Sequence, residues 1–213
     1  MSKVIPLLFL IIGVFVLGQI SLPVIAFGLW ERQSLDSDSI LVSPQVRSES
    51  VLGVSIENSD NFPAFISTTK RLTAALYSDF NLNVPALNIK DAKVLVDSND
   101  LIIGLAHLPG VALPGERGNV FISGHSALPL FFQGDKNYAT IFANLEKLKK
   151  GDKIIATVGK TEFTYQVLGF KVVGPKDLSV IAPPDLDGRY ISLMTCVPPG
   201  LNTKRLVVIG KII

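Results

Sequence analysis

Cysteine is all but missing from this 213-residue chain, which has one, Cys196. A single cysteine forms no internal disulfide, so the thiol is free, paired with another chain, or reactive. Histidine is nearly as scarce, with only His107 and His125. Charge of one sign is not in excess either. The net charge of +2 argues against a nucleic-acid binder held by phosphate contacts. Asp and Glu are scattered without the ordered spacing of a calcium loop, so no cofactor or metal is expected and calcium dependence stays open. Internal repeats and low-complexity blocks are also lacking, as is a C-terminal apolar run of spanning length.

Charge of any kind is missing from Val4 to Trp30, a run dominated by Leu, Ile, Val and Phe. This stretch supplies most of the excess behind a hydrophobic fraction of 48% and a mean hydropathy of +0.43. At about 1.5 Å per residue it can cross a hydrocarbon core of about 30 Å with some tilt. It shows no polar face and exceeds the ~7–15-residue apolar core of a cleavable signal peptide, so it reads as a retained anchor. Lys3 flanks it on one side, and Glu31, Arg32, Asp36 and Asp38 on the other. The positive-inside rule then puts the N-terminus in the cytoplasm and the rest outside the cell. Expected divisions are 1–32 for the anchor, 33–83 for a stalk and approach segment, and 84–213 for the main folded unit.

Ser34 through Ser39 is polar and turn-rich, as a linker leaving a membrane should be. Ser67-Thr68-Thr69 offers a cap for a short helix through Phe80, with Leu72, Ala75, Leu76 and Phe80 at helical spacing. From Val84 the texture changes to short β-like runs broken by Gly, Pro, Asn and Asp. Expected strands are Val84–Ile89, Lys93–Asp97, Asn119–Ser123, Lys153–Val158, Glu162–Val173, Tyr190–Thr195 and Arg205–Lys211. Gly159-Lys160 suits a hairpin turn. One helix is expected over Thr140–Lys149, where Ile141, Leu145 and Leu148 share a face. Many short strands with little helix make the fold all-β, a barrel or a sandwich; a barrel leaves no open edge.

Cys196 follows the run Tyr190–Thr195 and precedes a Pro-Pro-Gly turn, which places its sulfur at an exposed strand end. Arg205 lies nine residues on and opens the next strand. Antiparallel pairing across the loop would set it opposite Cys196, where a guanidinium lowers a thiol's pKa and stabilises an oxyanion. His125 ends the strand Asn119–Ser123, whereas His107 sits in a loop context between Ala106 and Leu108-Pro109-Gly110. Taken singly, each has an ordinary structural explanation. A rim Cys, His and Arg together are a constellation for acyl transfer.

These motifs resemble the sortase family. Ser192-Leu193-Met194-Thr195-Cys196 is similar to its Thr-Leu-x-Thr-Cys signature, with Ser192 in place of Thr, and the resemblance continues through Pro198-Pro199-Gly200 to Arg205-Leu206. Gly104–Gly110, Leu113–Glu116 and Gly118–His125 match the segment ahead of the family's histidine, and Phe142–Asp152 the one after it. The resemblance implies an eight-stranded β-barrel with short helices behind a transmembrane helix. It implies Cys196 as nucleophile, His125 as general acid/base, Arg205 as oxyanion and substrate-positioning group, and Thr195 as a support for substrate. His107 falls outside the set. It further implies cleavage of a Leu-Pro-x-Thr-Gly-like signal on surface proteins, through a thioester that passes to an amine from cell-wall precursor or a pilin lysine. An extracytoplasmic cysteine endopeptidase remains an alternative, as does a non-catalytic, membrane-tethered wall-binding β-domain. His125 precedes Cys196, which excludes papain-like order. Asp60-Asn61-Phe62 only loosely echoes the lid of the pilus-assembling branch, so a housekeeping or accessory anchoring enzyme is expected.

Overall fold

The computed structural model describes residues 4–35, 54–59, 62–67, 75–128 and 138–213. Helix α1, Val4–Leu35, is long and apolar enough to cross a membrane. Strands β1 (Val54–Ser59) and β2 (Phe62–Ser67) pair antiparallel as a separate two-stranded sheet within the expected stalk. Eight further strands follow: β3 (Asp79–Val84), β4 (Ile89–Leu95), β5 (Leu105–His107), β6 (Gly118–Ser123), β7 (Lys153–Val158), β8 (Thr161–Val173), β9 (Arg189–Val197) and β10 (Lys204–Ile212). They close into a barrel in the order β10-β8-β7-β3-β4-β5-β6-β9, as the resemblance implies.

The pleat explains two separate cores, since successive side chains in a strand point to opposite faces. Val120 and Ile122 of β6, Ile191 and Leu193 of β9, and Leu206 and Val208 of β10 join residues from the other strands inside the barrel. The alternate residues Phe121, Tyr190, Met194, Val207 and Ile209 form an outer core. Leu108 and Val111 from the β5–β6 loop cover it, as do Leu178, Val180 and Ile181 from the β8–β9 connection. β9 is therefore buried on both faces. Its near-continuous apolar sequence matches such a position.

The β7–β8 hairpin turns at Gly159-Lys160, with Val158 opposite Thr161 and Gly159 at φ +58. Several boundaries differ from the sequence reading. Of the helix expected from Ser67 to Phe80, residues 68–74 lie outside the described residues, and Asp79–Val84 is a strand. Phe80, Leu82 and Val84 alternate with polar residues and are all buried, a period of two rather than 3.6. The strand expected at Val84–Ile89 is a corner: Pro85–Leu87 forms a 3₁₀ turn, and Asn88 takes a left-handed conformation at φ 55 before β4 begins. The expected strand at Lys93–Asp97 begins earlier, at Ile89, and ends at Leu95.

The helix expected over Thr140–Lys149 is not α-helical. Turns lead into a 3₁₀ helix at Leu145–Lys147, and Asn144 at φ −115 interrupts regular winding. Phe142, Leu145 and Leu148 recur every three residues and all enter the inner core, which is the 3₁₀ repeat. His107, expected in a loop context, ends strand β5, Leu105–His107; the nearby Pro109-Gly110 turn masks so short an element. The polar linker Ser34–Ser39 lies mostly outside the described residues, as do Asp60 and Asn61.

Leu193 is fully buried in the inner core on the most enclosed strand. Leu193→Ala is expected to cost about 2–5 kcal/mol in urea unfolding. Leu186→Ala, at a position 88% exposed, should stay within about 0.5 kcal/mol of the parent. Equal effects would show that the inner core is not where the barrel gets its stability.

Candidate active site

Strands β6 and β9 are parallel neighbours in unbroken register, Gly118 opposite Arg189 through Ser123 opposite Met194, a constant offset of 71 residues. Parallel strands end at the same rim. Two residues beyond the last pair, the same offset brings His125 alongside Cys196. On the other side of β9, β10 runs antiparallel, and its register sets Arg205 directly opposite Cys196. His125, Cys196 and Arg205 thus come from three adjacent strand ends of one sheet. Cys196 and Arg205 continue the face of Met194 and Val207, so they lie on the outside of the barrel wall at the edge of the outer core.

The stretch after β6 carries His125 and is strapped to the end of β9. Gly124 N–H donates to Met194 O (3.0 Å), and Thr195 Oγ1 donates back to Gly124 O (2.8 Å). Ser126 Oγ donates to Cys196 O, and Gly200 N–H donates to Ser126 O (2.8 Å). His125 O accepts from Phe142 N–H (3.0 Å), which fixes the same stretch to the segment whose Phe142, Leu145 and Leu148 enter the inner core. Gly124 is required by close approach: a Cβ there would sit 2.5 Å from Phe142 Cδ2 and 2.6 Å from Leu105 Cδ2. Ser126 was not singled out from the sequence. Its one signal is a hydroxyl directly after a rim histidine, and its partner lies 70 residues away.

Cys196 is buried, 8% exposed, where the sequence reading expected an open rim thiol. β9 runs on past it to Val197, and the β9–β10 loop is tied at Gly200 to Ser126, next to His125. Burial pushes the Cys196 thiol up to about 11, with Arg205 pulling the other way. Burial also lowers the His125 imidazole below its ordinary value. Both shifts favour the neutral forms, so the resting pair at neutral pH is thiol and uncharged imidazole.

Arg205 is almost fully buried, at 1% exposure, so it is not a solvated loop residue. Its Nη1 donates to Asn202 O (3.0 Å) in the β9–β10 loop and to Lys204 O (3.2 Å) at the start of β10. Those bonds fix the plane of the guanidinium beside the sulfur. Thr195 belongs to the opposite, inward face of β9, and its hydroxyl is engaged by Gly124 O. It holds the two strand ends together from behind the cysteine.

His107 takes part in none of these contacts, although its strand pairs with β6 at Ile122. It is fully buried on β5, with Nε2 donating to Ala112 O (2.9 Å) and Nδ1 accepting from Asp97 N–H (3.3 Å). Both ring nitrogens serve to pin loops. Among the described residues, no group of three or more His, Cys, Asp or Glu is placed to hold a metal ion.

The buried thiol carries a measurable signature, because the thiolate is the nucleophile in alkylation. The rate of iodoacetamide modification of Cys196 should rise about tenfold per pH unit from about pH 7 to about pH 10, without levelling near the ordinary thiol value of about 8.5. In Arg205→Gln the rate at a given pH should fall, because the cation that opposes burial is gone. A plateau near pH 8.5 in the parent protein would contradict the desolvated thiol.

Comparison with known proteins identifies the barrel's family. Residues 79–213, more than half of the chain, match the model of the Sortase domain. Sortase D of Bacillus subtilis is 26% identical over 215 residues, covering 99% of this chain and 98% of that one. The solved structure of a Clostridium perfringens Sortase D5 transpeptidase superposes with a TM-score of 0.53 at 25% identity, covering 64% of this chain and 79% of its own. Sortase A from Corynebacterium diphtheriae superposes with a TM-score of 0.55 at 33% identity, covering 66% of this chain and 62% of its own. The matched family begins where the barrel begins, at Asp79, and this chain belongs to the sortase family, whose members are cysteine transpeptidases.

Proposed function

We propose that this chain is a membrane-anchored cysteine transpeptidase that cleaves a Leu-Pro-x-Thr-Gly-like sorting signal and transfers the acyl part to an amine. The reading is carried by one observation: the β6–β9 and β9–β10 registers bring His125, Cys196 and Arg205 to adjacent strand ends. In the proposed cycle His125 takes the Cys196 proton as the sulfur attacks the peptide carbonyl and the C–S bond forms. Arg205 stabilises the oxyanion. As the tetrahedral species collapses, the C–N bond breaks and the imidazolium returns its proton to the departing amine. An acceptor amine then attacks the thioester, His125 removes its proton, and the Cys196 thiolate leaves and is reprotonated.

The neutral resting pair fits this order, because the proton to be moved is still on sulfur when substrate arrives. Ser126 and Thr195 act in this scheme as positioning residues. α1 serves as the anchor, with the N-terminus in the cytoplasm and the barrel outside, where surface proteins bearing sorting signals and an amine of cell-wall precursor or pilin would meet it. No cofactor is required by the chemistry proposed.

Three substitutions test the assignment. Cys196→Ala should abolish the acyl-enzyme adduct with little effect on unfolding. His125→Ala should lower turnover about 10²–10⁴-fold. Arg205→Lys keeps charge but loses the planar fork, and turnover of a Leu-Pro-x-Thr-Gly-type peptide should fall about 10²–10³-fold. Since Arg205 is buried, thermal unfolding is measured alongside; a loss of activity matched by collapse of the fold would reassign it to holding the barrel together. Release of hydrolysed peptide alone, unchanged by added amine, would favour the endopeptidase reading. Retention of function after Cys196 alkylation would favour a binding domain.

A further inference from the structure

α1 does not simply end at the barrel. Its C-terminal part leans on the barrel: Phe27 is buried, Trp30 meets Phe170 edge-on at 5.8 Å, and Glu31 pairs with Lys204 Nζ at 2.6 Å. Between helix and barrel lies a crevice of about 800 Å³. Its helix wall is Pro23, Ala26, Phe27, Trp30 and Gln33, spaced i, i+3, i+4, i+7 and i+10, a single helix face. Its barrel wall is apolar at Leu148 and Phe170.

The depth of this crevice follows from the anchor. A hydrocarbon core of about 30 Å takes about 20 residues of helix, so a span that starts near Val4 ends near Pro23. The face from Pro23 to Gln33 then covers about 15 Å more and passes through the headgroup layer. Trp30, the chain's sole tryptophan, sits where an interfacial aromatic belongs. At the mouth, Lys147, Lys149 and Lys150 line the crevice and are exposed. Glu146 is the acid in the same wall, half-buried, and its burial pushes its carboxyl up. Cationic groups at the mouth, an apolar trough below and a position at the bilayer surface describe the two ends of one kind of molecule.

We infer that this crevice binds an anionic membrane lipid, with its phosphate held by Lys147, Lys149 and Lys150 and a hydrocarbon chain lying along Phe27, Trp30 and Leu148. The lipid fills the gap between anchor and barrel and holds the barrel at a fixed height and rotation over the bilayer. Leu128 and Pro199 line the same crevice. Pro199 belongs to the loop that follows Cys196, so the bound lipid reaches the edge of the candidate active site. The inference rests on α1 being a membrane span and is independent of the chemistry proposed for Cys196.

Trp30 makes the test direct. The full chain is reconstituted in phosphatidylcholine vesicles containing either brominated phosphatidylcholine or brominated phosphatidylglycerol at equal mole fraction, and quenching of Trp30 is measured. The anionic lipid should quench at lower mole fraction by about fivefold or more, the factor that ~1 kcal/mol for a single surface lysine represents. K147Q/K149Q/K150Q should erase the difference, and K90Q/K160Q/K176Q, which removes equal charge elsewhere, should keep it. Equal quenching by the two lipids overturns the site, as does a preference that survives the first triple substitution. Absence of quenching by either lipid also overturns it, since a peptide or water then fills the crevice. Carbonate extraction of the same vesicles separates the two failures. A chain released from the membrane fails the anchor reading, and one that stays without lipid preference fails only the site.

Discussion

The parallel ladder between β6 and β9 is the contact on which the arrangement of the site depends. It joins segments 71 residues apart and fixes both strand ends at one rim. A slip of one residue would turn His125 to the opposite face from Cys196 and would also exchange the inner and outer cores, because the pleat has a period of two. Register here is therefore enforced by hydrophobic burial on both faces. Leu193 and Ile122 fix it from within, and Met194 and Phe121 from outside. The polar strap through Gly124, Thr195, Ser126 and Gly200 extends that order past the end of the ladder, where strand pairing alone would no longer hold the histidine.

Burial on the outer face has a chemical consequence. The β5–β6 loop and the β8–β9 connection cover the outer core and leave Cys196 at its margin, mostly enclosed. Enclosure raises the thiol and lowers the imidazole, while the guanidinium of Arg205 acts against the first of these effects. Charge on Arg205 is tolerated in so enclosed a place because its Nη1 has two backbone carbonyls as partners. The cation that opposes the effect of burial on the thiol is thus held by backbone carbonyls just beyond Cys196 in the chain.

Much of this was legible in the sequence, and the reason differs by residue. The nine-residue separation of Cys196 and Arg205 spans one short loop, so strand alternation alone predicted their pairing. The long strand β8 and the Gly159-Lys160 turn were clear for the same local reason. Contacts of high sequence separation were not. Nothing near His125 reveals that Cys196 is its neighbour; only the resemblance to a family did so. The depth of Cys196 was missed because the cover comes from segments distant in the chain. Segment 140–149 was read as a helix because lysines at its end and leucines on one face fit a 3.6 repeat. The barrel interior imposes a repeat of three through Phe142, Leu145 and Leu148.

Under the proposed function, a nucleophile kept protonated at rest suits an enzyme working outside the cell with a single free thiol. Oxidation of cysteine proceeds through the thiolate and tracks exposure, so a buried thiol raised to about 11 is protected on both counts. The same protection lowers the fraction of enzyme ready to react, which favours slow turnover over fast. In the proposed cycle substrate binding changes the balance, because attack on a carbonyl couples loss of the sulfur proton to formation of an oxyanion beside Arg205. The reactive charge then appears only when it can move onto substrate oxygen. A more acidic thiol would gain rate at rest and lose that coupling. Burial of Cys196 is therefore as much a part of the proposed chemistry as the residues that touch substrate.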